Sequence, residues 1–139
     1  LTSSLSCTAK DAGVFLSNIA QQYTGDAKKR AFIAGGETVV HITGSGLGGR
    51  NQELALAAAE NIAGMQNVCV FSVGSDGTDG PTDAAGGYVD GSTKQLLEEK
   101  GISIFRTLQS NDSYHALDAC GGTGATGTNV NDLSVLLIG

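Results

Sequence analysis

The sequence predicts an α/β layered domain with a mixed, mostly parallel sheet flanked by helices. Segments of helical and strand periodicity alternate along the chain, which is the pattern of helices layered on a sheet. The glycines gather in clusters between those segments. There are 21 Gly and a single Pro in 139 residues, about twice the usual ~7% glycine share. A hairpin-like start favours a mixed sheet over a purely parallel one.

The elements follow in order. Thr8 with Asp11 three residues later is a capping-box variant. Ala12, Phe15, Leu16, Ile19 and Tyr23 then recur at helical spacing, so 8–23 reads as an amphipathic helix. Residues 25–30 are a polar loop. Ala31–Ala34 and Thr38–Thr43 are short β-rich runs about Gly35-Gly36-Glu37, a hairpin or sharp bend. After the glycine loop 44–49, residues 51–63 are rich in the strongest helix formers and end at Gly64. Asn67–Val73 is an apolar run of buried-strand character. Residues 74–87 form a long Gly/Asp/Thr loop. Ser92 caps a helix to Lys100, closed by Gly101. A short strand over 102–105, a helix over 110–120, a second glycine loop over 123–132 and a final strand over 133–138 complete the chain.

Length and composition suit one domain that needs no disulfide or metal staple. Hydrophobic residues are 40% and charged residues 16%, too apolar for a disordered chain. The net charge of −6 argues against a nucleic-acid or anionic-membrane binder. No apolar run is long enough to span a membrane. Cys7, Cys69 and Cys120 have no metal or disulfide spacing, and read as reduced thiols of a cytoplasmic protein. The chain starts at Leu1, and its one Met is Met65, so it reads as part of a longer polypeptide.

Three loops carry candidate chemistry. Gly44-Ser-Gly-Leu-Gly-Gly-Arg-Asn51 fits GxGxxG after a strand and before a helix, where backbone N–H groups attract a phosphate. Arg50 adds a planar, two-pronged cation. The plain alternative is a glycine-rich turn with a solvent-facing Arg. A Walker reading lacks its Lys, and a dinucleotide reading needs an acid after the next strand, where Asp76 falls somewhat late. The second loop, Gly74–Asp83, holds Asp76, Asp79 and Asp83 with Thr78 and Thr82, oxygen donors of the kind Mg²⁺ takes. The alternative is Asx and ST turns. The third, Thr123–Asp132, offers polar groups to sugar or phosphate oxygens, or ordinary turn chemistry. Glu53 complements the dipole of its helix or orients Arg50. His41 and His115 read as structural.

Four ordered motifs are similar to a known family: Gly35-Gly-Glu-Thr38, Gly48-Gly-Arg-Asn-Gln-Glu-Leu54, Asp76-Gly-Thr-Asp-Gly-Pro-Thr-Asp-Ala-Ala-Gly86 and Thr126-Gly-Thr-Asn-Val-Asn-Asp-Leu133. They resemble the C-terminal MOFRL domain of the glycerate 2-kinase family, whose members are often labelled hydroxypyruvate reductase. The resemblance covers nearly the whole chain. It implies a single domain over 1–139 that partners a larger N-terminal α/β domain. It also implies transfer of the γ-phosphoryl of ATP, with Mg²⁺, to the 2-hydroxyl of D-glycerate. Carried over, Arg50 is the catalytic cation, and Asp76, Asp79 and Asp83 are the metal ligands. Gly46, Gly48, Gly49, Asn51, Glu53, Thr78, Thr128, Asn129, Asn131 and Asp132 bind substrate or nucleotide. The chain departs from the family pattern at Ala125 (usually Pro), at Gly86-Gly87 and at Val39 (usually Thr). The competing expectations are a reductase-type NAD(P)-binding domain and a stand-alone, non-catalytic ligand-binding domain.

Overall fold

The computed structural model describes residues 1–124 and 131–139. Among them lie β1 (Thr2–Leu5), α1 (Ala9–Gln22), β2 (Arg30–Gly36), α2 (Arg50–Asn61), β3 (Val68–Val73), β4 (Gly86–Asp90), α3 (Thr93–Glu99), α4 (Ile104–Ser110), α5 (Ser113–Ala119), β5 (Thr123–Gly124) and β6 (Asp132–Ile138). The strands form one sheet in the order β1-β2-β6-β3-β4-β5.

The sheet is mixed and helix-flanked, as expected, but its balance of directions is reversed. Only β1 and β2 run parallel; the other four pairings are antiparallel. The cause is the last strand. β6 inserts between β2 and β3 and runs against both, pairing Gly36 with Asp132 and Val73 with Leu133. One end of the sheet therefore gathers the exits of β2 and β3 and the entry of β6.

Alternate residues build the core. Val68 and Val70 of β3, Val89 of β4 and Leu136 and Ile138 of β6 join Leu16 of α1 and Leu54 and Leu56 of α2. Ser72 and Ser134 lie on the same inner face and hydrogen-bond each other at 2.8 Å. Helix α1 starts as predicted, with Thr8 Oγ1 accepting from the Asp11 amide. Its Gly13 lies against α2, where a Cβ would meet the Leu54 carbonyl oxygen and the Ala57 Cβ.

Three local expectations are corrected. Residues 38–43 form no hairpin strand; Val39 makes only an isolated parallel bridge with Thr8. The segment is held instead by Asn111, whose Nδ2 donates to the His41 carbonyl at 3.0 Å and whose Oδ1 accepts from the Thr43 and Gly44 amides. Residues 102–105 are not a strand. Ser103 caps α4, its side chain accepting from the Arg106 amide at 3.3 Å. The helix expected over 110–120 starts only at Ser113, as α5, because Asn111 adopts φ 58°, the left-handed conformation that ends α4 at Ser110. Strands β1, β4 and the two-residue β5 were not anticipated.

Candidate functional site

The gathered end of the sheet forms an open, polar depression of about 320 Å³, lined by Gly36, Glu37, Arg50, Ser75, Asp76, Asn131 and Asp132. Each residue arrives by topology. Gly36 and Glu37 leave β2, Ser75 and Asp76 follow β3, Asn131 and Asp132 open β6, and Arg50 opens α2. Arg50, Asp76, Asn131 and Asp132 are thus brought together, although their loops are far apart in the chain.

Arg50 is clamped by Asp132: Nε donates to Oδ2, and Nη2 to Oδ1 at 3.1 Å. Its Nη1 faces Glu37 Oε1 at 3.5 Å. The Asp132 side chain is only 9% accessible, whereas that of Arg50 is 37% and that of Glu37 is 75% accessible. The Asp132 hydrogen bond holds the guanidinium pKa further above the usual arginine value. Asp132 fixes two of the three nitrogens, and the third points to a mobile-length carboxylate on the rim. This two-point arrangement suits an anion that arrives from solvent and displaces Glu37.

The glycine loop does something other than the sequence suggested. A Cβ on Gly46 would strike Asp112, one on Gly48 the Ser113 hydroxyl, and one on Gly49 the Asp79 carboxyl. The Gly46 amide donates to the Ser110 carbonyl at 2.8 Å, and the Leu47 amide to Asp112 Oδ1 at 2.9 Å. These glycines let the loop lie against the junction of α4 and α5. They make room for this chain's own backbone.

The start of α2 is likewise filled from within. Asp79 is 2% exposed. Its Oδ1 accepts from the Asn51 amide and Nδ2, and its Oδ2 from the Gln52 amide and Nε2, all at 2.8–3.1 Å. The anion at this helix N-terminus is therefore a built-in carboxylate. A dinucleotide pyrophosphate seated here would have to evict it, so the GxGxxG route to NAD(P) loses its physical basis. Asn51 continues the network inward, with Oδ1 accepting from Ser72 Oγ at 2.6 Å.

The three aspartates expected to share a metal diverge. Asp76 is exposed at the depression and accepts from the Thr78 amide at 3.2 Å. Asp79 lies beneath α2. Asp83 is exposed and accepts from the Tyr114 hydroxyl at 2.9 Å. Among the described residues no group of three His, Cys, Asp or Glu side chains converges as a metal site. The trio does not fit Mg²⁺, since two of its members are committed elsewhere. Thr78 is exposed beside Asp76. Thr128 and Asn129 lie outside the described residues.

Glu53 is not a partner of Arg50. It is buried at 7% exposure and accepts from Asn111 Nδ2 at 3.3 Å, and burial pushes its pKa up. Sequence reasoning missed Asn111 and Glu37. Asn111 sits in an Asn-Asp-Ser cluster, a turn signal inside what otherwise reads as one helix.

Fold and site together define an α/β domain that presents one carboxylate-clamped arginine at the ends of its central strands. The chain belongs to the MOFRL family, whose profile matches residues 30–132. It is 52% identical over 145 residues to the D-glycerate 2-kinase of Thermotoga maritima, covering 99% of this chain and 35% of that protein. It is 45% identical to the glycerate 2-kinase of Pyrococcus horikoshii, covering 99% and 33%. A crystal structure of glycerate kinase from Thermotoga maritima superposes with a TM-score of 0.95 at 50% identity, covering all of this chain and 35% of that one. The chain thus spans about a third of the length of the curated relatives it matches. No helix among the described residues is long and apolar enough to cross a membrane.

Proposed function

We infer that this chain supplies the phosphate-handling surface of a glycerate 2-kinase, which moves the γ-phosphoryl group of ATP to the 2-hydroxyl of D-glycerate. The observation that carries the reading is the Arg50–Asp132 clamp at the strand-end depression, in a chain 52% identical to a D-glycerate 2-kinase. In the reaction the glycerate 2-oxygen bonds to the γ-phosphorus as the bond to the bridging oxygen of ADP breaks, and the hydroxyl proton leaves to a base or to solvent. Such transfer depends on positioning and on neutralising charge over the phosphoryl oxygens. Arg50 does this: Asp132 holds its plane, and Nη1 turns from Glu37 to a phosphoryl oxygen. Asn131 and Asp76 border the same opening. The other wall of the cleft comes from a larger N-terminal α/β domain. The three free cysteines suit a reducing compartment, and we place the enzyme in the cytoplasm. The aspartate trio is not offered as its magnesium site.

A hybrid tests the reading: the aligned third of the Thermotoga maritima enzyme is exchanged for this chain, and glycerate phosphorylation is followed. The hybrid should turn over ATP with glycerate. Arg50→Ala should lower its kcat by about 10³ or more. Arg50→Lys should also lower kcat strongly, because an ammonium cannot keep the two-point contact with Asp132 while meeting a phosphate. If Arg50→Ala leaves kcat/KM within a small factor, Arg50 is a structural ion pair and the reading falls.

A further inference from the structure

A second cavity, of about 380 Å³, lies among the start of α1, residues 41–43, the first turn of α2 and α4, and shares no lining residue with the Arg50 depression. Its volume falls in the range of small-molecule sites, roughly 300–1,000 Å³. Glu53 lines it. Oε1 of Glu53 accepts from Asn111 Nδ2 at 3.3 Å, while Oε2, with no protein donor among the described residues, is reached by solvent from the cavity. Such an oxygen on a cavity wall is an acceptor whose water a ligand's donor can replace. Burial raises the pKa of Glu53, with Lys10 and His41 as the nearby positive influences. Phe105 and Leu108, which also line it, lie three residues apart on α4, hence on one face. Phe105 is 68% exposed, an uncovered aromatic plate beside a cavity. Lys10 and His41 stand at the opening with Thr43.

We propose that this cavity seats the nucleoside part of a nucleotide. The ring lies against Phe105 and Leu108, a ribose hydroxyl or exocyclic amine donates to Glu53 Oε2, and the phosphates leave past Lys10. Plate, acceptor floor and rim cation match the three chemical parts of such a ligand. Glu53 follows Arg50 by three residues on α2, so the two side chains start about 5–6 Å apart, and a nucleotide seated in this way would run its polyphosphate toward Arg50. The inference deepens the phosphotransferase reading by naming where the donor is held, and it rests on that reading only for the ligand's source.

The test is binding of adenosine and of ATP to this chain, by titration calorimetry or ligand-observed NMR. Adenosine, which has no phosphate, should bind. Phe105→Ala, a change at an exposed position, should weaken it about tenfold, the scale of one base–aromatic stack. Glu53→Gln should weaken it similarly, and Arg50→Ala should leave it unchanged while weakening ATP. Adenosine that fails to bind, or binds equally well to Phe105→Ala and Glu53→Gln, overturns the proposal. The two readings fail separately. ATP binding that depends on Arg50 but not on Phe105 or Glu53 removes the cavity and spares the transferase. Adenosine binding that needs Phe105 and Glu53, with no phosphorylation by the hybrid, does the reverse.

Discussion

Asp79 shows how one carboxylate can replace a ligand. Four N–H groups from Asn51 and Gln52 converge on it in a site closed to water. Asp79→Ala would leave the two backbone amides and Asn51 Nδ2 without this acceptor, while Gln52 Nε2 would keep Thr82 Oγ1 at 3.0 Å. The expected loss is about 3 kcal/mol or more, read as a lower denaturant midpoint in urea. A loss below ~1 kcal/mol would mean that water enters and the network matters little. Glu53 acts in the opposite direction. Its folded-state pKa is raised by burial above the ordinary 4.5, so the native state binds the proton more tightly than the unfolded chain. That favours the fold at low pH, and the benefit is lost as pH rises through the raised value. Glu53→Gln should therefore raise Tm at pH 7 more than at pH 4. Equal shifts at both pH values would show that Glu53 titrates normally. Arg50 stood out in sequence as a cation in a glycine loop before a helix, and Asp132 entered only through the family resemblance; that the two meet was not legible. Nor was the place of Asp79, because nothing in Asp76-Gly-Thr-Asp79 says which carboxylate folds back under a helix 28 residues upstream.

At the level of elements, the long periodic segments were legible and the short ones were not. Helices α1 and α2 have enough turns for their apolar stripe to be unmistakable, and β3 has continuous apolar character. β4 begins Gly86-Gly87 and looks like loop, yet both glycines answer to packing: a Cβ on Gly86 would meet the Ser72 carbonyl, and one on Gly87 Leu117 and Ala55. β1 is four residues at the sheet edge with little burial, so it has no inward-outward alternation to read. Residues 102–105 carry two β-branched isoleucines, but Ser103 offers a cap and tertiary contact decides for helix. Gly13 invites a test of the same kind. It sits inside α1, where Ala is favoured by ~1 kcal/mol from propensity alone. A Cβ there would meet the Leu54 carbonyl and crowd the Ala57 side chain, forcing α1 away from α2. Gly13→Ala should destabilise by about 1–3 kcal/mol in spite of propensity. A rise in Tm would show that the α1–α2 contact yields easily.

Over the whole molecule, the insertion of β6 between β2 and β3 explains why remote motifs share one depression. It also ties that depression to the core: Ser134 of β6 bonds Ser72 of β3, Ser72 bonds Asn51, and Asn51 bonds Asp79, from the sheet centre to the start of α2 beside Arg50. Positioning is therefore the resource this chain offers. What the depression does not offer is enclosure. It is open and polar, its one cation has Asp132 and Glu37 as carboxylate partners, and the aspartates near it do not converge. Holding both reactants in register can contribute roughly 7–11 kcal/mol to a barrier at best, and a single wall supplies little of that. The 139 residues also correspond to only about a third of each relative. The chain alone should thus show no glycerate-dependent release of ADP above background in a coupled assay, while the hybrid enzyme containing the same residues does. Turnover by the chain alone would mean that Arg50 and its neighbours form a complete site, and would remove the two-walled cleft from the account.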